Sequence, residues 1–145
     1  MVYPVNNIKF RIGLKGIEST EQDMSIVKDM ETFSINFDNG VEEWTALDQE
    51  GWARRLVTAK SISISLSGKR NYSDDGNNYI ASLAYENGTG ACTIMDAEFP
   101  NGSILKMNCI INVSTSDGGA ANDVAALEFE LMSDGKPQFI RRSDV

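Results

Sequence analysis

The feature that most constrains this chain is a period-two alternation of apolar and polar side chains, repeated in one segment after another. Phe33, Ile35 and Phe37 alternate with Thr32, Ser34, Asn36 and Asp38, and Ile62, Ile64 and Leu66 alternate with Ser61, Ser63, Ser65 and Ser67. A strand turns successive side chains to opposite faces, so each run predicts a strand with one buried face. Between residues 103 and 115 one parity reads Leu105, Met107, Cys109, Ile111 and Val113. The other mixes Ile104 and Ile110 with Lys106, Asn108, Asn112 and Ser114, which predicts a long strand whose second face is partly apolar. Ala125, Leu127, Phe129 and Leu131 set Glu128 and Glu130 on the opposite side, and residues 92–98 form a shorter strand feeding the Pro100-Asn101-Gly102 turn. Asn39-Gly40 is a hairpin signal before the run 41–47.

One helix is predicted, over residues 76–86. Asp74 or Asp75 caps it, Tyr79, Ile80, Leu83 and Ala84 share one face, and Asn87-Gly88 stops it. A helix this short needs tertiary packing, so it is expected to cover an open edge or mouth of a strand sandwich. The turn before it, Asn71 to Gly76, has the alternating oxygens and sixth-position Gly of an EF-hand loop. Its twelfth position is Ser82, a strand precedes it, and helix capping explains the same acids, so no metal site is assigned.

Length and charge narrow the function classes. At 145 residues the chain is one ordinary domain, and a formal charge of −8 repels a phosphate backbone, so tight nucleic-acid binding is not expected. There is no histidine, which removes Ser/His and Cys/His chemistry and histidine-ligated zinc. The adjacent acids Asp74-Asp75 and Glu42-Glu43 read as solvated caps and surface charge rather than as a catalytic pair. No enzyme, catalytic residue or cofactor is predicted. Cys92 and Cys109 lie in strand-like runs without CxxC spacing and read as reduced core thiols, unless adjacent strands bring them together. The N-terminus lacks an apolar export region and no run spans a bilayer, so neither export nor membrane insertion is expected; the Asn-x-Ser/Thr triplets at Asn71, Asn87, Asn101 and Asn112 then carry no glycosylation.

The stretch VEEWTALDQEGWARRLVTAK, residues 41–60, supports two readings. Trp44 and Trp52 are tucked into the core, or the stretch is an assembly loop in which exposed aromatics beside Arg54 and Arg55 engage a neighbouring copy.

From here the chain resembles a known family, the phage tail tube proteins, or major tail proteins, common in phages and prophages of Gram-positive bacteria. The resemblance is carried by EEWTALDQEGWARRLVTAKSISISLSGKRNYSDDGNNYIASLAY: a Trp-Ala…Leu-x-Thr-x-Lys lead into an alternating strand, then Ser-Gly-Lys-Arg, then an Asp/Asn-rich turn opening the helix. It implies a mainly β fold, a sandwich or barrel-like domain over residues 1–145 with one flanking α-helix. Six copies would form a ring, and rings would stack into a hollow virion tail tube assembled in the host cytoplasm. DNA would pass through it without tight binding. The implied partners are further copies of the chain, a tail terminator, a baseplate or tip, and a tape-measure protein.

The long loop 41–57 then takes the place of the family's ring-to-ring loop, with Trp44, Trp52, Arg54 and Arg55 as contact candidates. Lys69 and Arg70 would meet acids on another subunit. Arms at residues 1–7 and 136–145 would reach neighbours, and the lumen candidates are Ser61, Ser63, Ser65, Glu128 and Glu130. The competing reading is a β-sandwich binding module that does not polymerise.

Overall fold

The computed structural model describes residues 1–141, whose strands join in one antiparallel sheet. In chain order they are β1 (Lys9–Gly13), β2 (Met24–Ile26), β3 (Met30–Thr45), β4 (Ala53–Lys69), β5 (Cys92–Glu98), β6 (Ile104–Gly118), β7 (Ala126–Ser133) and β8 (Gln138–Ile140). One α-helix, α1 (Asp75–Ser82), sits between β4 and β5. The sheet order is β2-β1-β5-β6-β7-β4-β3, with β8 also paired to β6. On one edge β6 meets β5, through Ile104 to Ile110; on the other it meets β8 and then β7.

Connectivity rolls this sheet. β2 and β3 stand at opposite ends of the order, yet Ile26 and Met30 are close in the chain. Four peptide steps reach at most about 14 Å, so the two ends of the sheet must meet. The Phe10 and Phe33 rings, from β1 and β3, accordingly lie 5.7 Å apart.

Inside the roll is the apolar parity of the alternating runs. Ile62, Ile64 and Leu66 of β4, Leu127, Phe129 and Leu131 of β7, and Leu105, Met107, Cys109 and Ile111 of β6 are all buried in one cluster. Alternation therefore places the core as predicted. Phe37 departs from it: it belongs to the apolar parity but is 64% exposed, because the roll opens toward that end of β3.

The helix closes the opposite end. Ile80, Ala81 and Leu83 are buried, whereas the predicted Ala84 is exposed, because regular α-helix stops at Ser82 and continues as a 3-10 turn, Leu83–Tyr85. Asp74 is the cap; its carboxylate accepts from the Asn77 N–H at 2.9 Å and from the Lys28 N–H at 3.0 Å. Segment 26–29 presses so closely on this region that a side chain has no room at two glycines. A Cβ at Gly76 would stand 2.5 Å from the Ile26 carbonyl oxygen, and one at Gly68 would collide with the Asp29 carbonyl.

Asn39-Gly40 is not a hairpin turn. β3 runs straight through it, with Asn39 opposite Lys60 and Gly40 opposite Ala59, and a bulge follows before Val41 pairs with Val57. The chain reverses at residues 46–52, where Glu50 (φ 53°) and Gly51 (φ 85°) take the left-handed conformation. Cys92 and Cys109 lie on neighbouring strands but do not face each other: Cys92 pairs with Ile110 on the outer face, and Cys109 points into the core. Burial pushes the Cys109 thiol up to about 12.

Candidate functional site

The outward parity of β3, β4, β7 and β6 aligns row by row. Ser34 stands opposite Ser65, Ser65 opposite Glu130, and Glu130 opposite Asn112. The next row begins Thr32, Ser67, Glu128, and on the other side Asn36, Ser63 and Met132 are in register. Ser61 continues the strip opposite Asp38. All the sequence-predicted polar positions, Ser61, Ser63, Ser65, Glu128 and Glu130, thus share one face of four strands. No Lys or Arg occurs among the residues of these rows. The strip offers hydroxyls, amides and carboxylates.

Both borders of this strip are open along the backbone. β3 ends the sheet order, so among the described residues no strand is hydrogen-bonded to its outer edge from Met30 to Thr45. On the far side the pairing of β5 stops at Ile110, leaving the same edge of β6 without a paired strand from Ile111 to Gly118 among the described residues. Unpaired N–H and C=O rows of this length are templates for another chain.

Beyond Lys60 and Asn39 the β3–β4 ribbon leaves the sheet as a two-stranded arm. Its paired residues from Asn39 to Thr45 extend roughly 20 Å at strand spacing. Residues 41–57 are therefore the far part of a hairpin rather than an irregular loop, with a short 3-10 turn, Leu47–Gln49, near the tip. The core reading of the tryptophans is overturned: Trp52 is 73% exposed, Trp44 is also exposed, and Leu47 at the tip is fully so. Arg54 lies over the Trp44 ring at 5.6 Å, and the Arg55 Nε donates to Glu43 Oε2 at 3.1 Å. These cross-strand pairs brace the arm.

Lys69 and Arg70 separate. Lys69 is solvent-facing and pairs with Glu31 at 3.5 Å. Arg70, expected to contact another subunit, is a strut inside this one; its side chain is only 11% exposed. Its Nη1 donates to Asn77 Oδ1 at 2.9 Å and Asn78 Oδ1 at 2.8 Å, its guanidinium covers the Tyr72 ring at 4.4 Å, and Asp117 lies 3.8 Å away. Adjacent basic residues look alike in a sequence; Asn77 and Asn78 at the start of the helix and Asp117, distant in the chain, decide which one is enclosed.

A groove not foreseen from the sequence opens at the root of the arm. Its volume is about 790 Å³, and its apolar walls include Ile35, Phe37, Phe99, Leu105, Pro137 and Phe139. Lys60, Lys136 and Arg141 supply its charge. Several separated segments build it, so no local pattern announced it. The predicted C-terminal arm begins here, but Gln138–Ile140 is strand β8 on β6, and residues 142–145 lie outside the described residues. Residues 1–7 are exposed throughout.

Among the described residues no cluster of three or more His, Cys, Asp or Glu is placed to hold a metal ion, and no helix is long and apolar enough to cross a membrane.

Residues 14–139 match the family described as phage tail tube protein. Among solved structures, the fold is similar to a chain in the tail of an empty GTA particle refined helically with C6 symmetry. The TM-score is 0.76 at 18% identity, covering 97% of this chain and 100% of that one. A chain from the virion of a native gene transfer agent particle matches with TM-score 0.73 and 17% identity, over 97% and 100% of the two chains. The anti-feeding prophage tube-terminating cap is more distant, with TM-score 0.55 and 15% identity over 96% and 92%. No curated protein sequence matches the chain.

Proposed function

The chain belongs to the phage tail tube protein family, and from that premise we propose that it assembles as six-membered rings stacked into the hollow tail tube of a virion, a conduit for genome ejection. The observation that carries the geometry is the pair of open borders on the polar four-stranded strip. A head-to-tail contact between the β3 edge of one copy and the β6 edge, from Ile111 onward, of the next is heterologous, and such contacts close into a ring when the rotation allows. The similar GTA tail has C6 symmetry; four strands from each of six copies would give a 24-stranded wall with no free edge.

In that wall one face of the strip lines the lumen. The side bearing Ser61, Ser63, Ser65, Glu128 and Glu130 suits it, since acids and hydroxyls repel or ignore phosphates and let DNA slide. The opposite side of these strands is already filled by the core and α1. The arm with Trp44, Trp52, Arg54 and Arg55 projects out of the sheet and is free to reach an adjacent ring, and Lys69, half-exposed beside Glu31, is a further contact candidate. A terminator capping the last ring, a tip or baseplate, and a tape-measure protein complete the proposed partners; similarity to a tube-terminating cap supports the first.

The test is negative-stain electron microscopy of the concentrated protein beside sedimentation of the same sample. Hollow rods or six-fold rings are expected. A species that remains a single copy at every concentration, even with preformed tail tips added, would return the chain to the non-polymerising binding-module reading.

A further inference from the structure

The tip and the root of the β3–β4 arm complement each other, though they lie at its opposite ends. At the tip, Leu47 and Trp52 are held out in solvent beside Asp48 and Glu50, with no base between residues 46 and 52. At the root, the groove presents Phe37, Phe99 and Phe139, with Lys60, Lys136 and Arg141 and, among the described residues that line it, no acid. That is conspicuous in a chain with 13 basic and 21 acidic residues. None of Lys60, Lys136, Arg141, Asp48 or Glu50 takes part in an ion pair within the chain among the described residues.

The arm cannot fold back to satisfy its own root. A paired two-stranded ribbon is extended, and from Phe37 to Thr45 it carries the tip roughly 26 Å away. The groove's 790 Å³ lies within the range of about 300–1,000 Å³ typical of pockets that enclose an apolar guest, room enough for an indole and an isobutyl group.

We infer that the groove is the receptor for the hairpin tip of a second copy of this chain. Leu47 and Trp52 enter between Phe37, Phe99 and Phe139, while Asp48 and Glu50 face Lys60, Lys136 and Arg141. Donor and receptor are different surfaces at opposite ends of one arm, so the contact is heterologous and does not close on itself within a pair; it propagates. In the tube reading, on which this inference rests, it is the contact that stacks one ring on the next. Desolvated aromatic anchors supply the affinity, and the charges set the register and reject wrong docking.

Two experiments on the full-length chain test it. In a Cys92→Ser background, Leu47→Cys combined with Phe139→Cys should give disulfide-linked multimers when assembled protein is oxidised, and neither single variant should do so. Separately, Asp48→Lys with Glu50→Lys should lower the pelletable fraction at least about tenfold, as should Lys60→Glu with Lys136→Glu, while all four changes together restore assembly to within about twofold of wild type. Wild-type tubes with no cross-link and no rescue by the fourfold variant would overturn this inference and leave the tube reading standing. A wild type that never forms rings would overturn both.

Discussion

Glu130 stands directly across the β4–β7 ladder from Ser65, with Asn112 on its other flank, in the middle of a face that carries no cation in these rows. If this face lines the tube, its charge decides whether DNA is repelled or held. Tubes of Glu128→Lys with Glu130→Lys should capture double-stranded DNA in a nuclease-protected form at about 50 mM salt and release it above roughly 0.2 M, because phosphate contacts are salt-dependent. Wild-type tubes should capture none. Captured DNA that stays nuclease-sensitive would put the glutamates on the outer wall.

Trp52 is exposed in the single chain, so its truncation leaves the core untouched. Trp52→Ala should change stability by less than about 0.5 kcal/mol, with an unaltered circular dichroism spectrum, yet abolish rods. Arg54→Glu should behave similarly, since it strips the cation from the Trp44 ring. Loss of the β spectrum in Trp52→Ala would refute its assignment to the assembly surface.

Asn77 is fully buried and ties three segments together. Its Nδ2 donates to the Lys28 and Lys69 carbonyls at 3.1 and 2.9 Å, and its Oδ1 accepts from the Asn71 N–H at 3.0 Å and from Arg70. Asn77→Ala leaves those groups unpaired and should destabilise the chain by about 3 kcal/mol, read from urea unfolding in the assembly-deficient Trp52→Ala background. A change below about 1 kcal/mol would mean water replaces the amide at little cost.

Stability should fall at both ends of the pH scale. Hydrogen bonds from Arg11 hold Glu21 below its ordinary value, backbone and side-chain bonds from Thr20 do so for Asp23, and bonds from Tyr72 and Ser116 do so for Asp117. A depressed folded value means stability that is present above the ordinary carboxylate range, about 4, and lost as pH drops through the folded values. Tyr72 is raised by its bond to Asp117, so its contribution is complete below about 10 and lost above it. Asp117→Asn should weaken both limbs of a Tm-against-pH curve; an unchanged alkaline limb would refute the Tyr72 contribution.

Thiol labelling should distinguish the two cysteines. With Cys109 fully buried and Cys92 half-buried on the other face, a thiol reagent at pH 8 should modify no more than Cys92 rapidly, and Cys109 only upon unfolding. An intramolecular disulfide found by mass spectrometry would contradict the strand register.

Much of this molecule was legible one strand at a time. Ile62, Ile64 and Leu66 announced their burial through the serines between them, the Asp74-Asp75 pair announced a cap that Asp74 supplies, and the parity of Glu128 and Glu130 placed them outside. The Asn39-Gly40 signal failed because turn propensity is weaker than continued cross-strand pairing: the ladder carries Phe37 opposite Ile62 and, past a bulge, Val41 opposite Val57. The true reversal had its own mark in Gly51, obscured by the stronger dipeptide upstream.

By itself the sequence determined which parity of the main strands faces inward, that the chain is mainly β, and that histidine chemistry is absent, because alternation and composition are local properties of the chain. Tertiary structure alone decided that Arg70 is enclosed while Lys69 is not, that the serines and glutamates of separate strands share a row, and that Phe37, Phe99 and Phe139 form one groove. Those outcomes depend on register, on the roll of the sheet and on how the turn before the helix folds back, which bring side chains together through contacts no local pattern encodes.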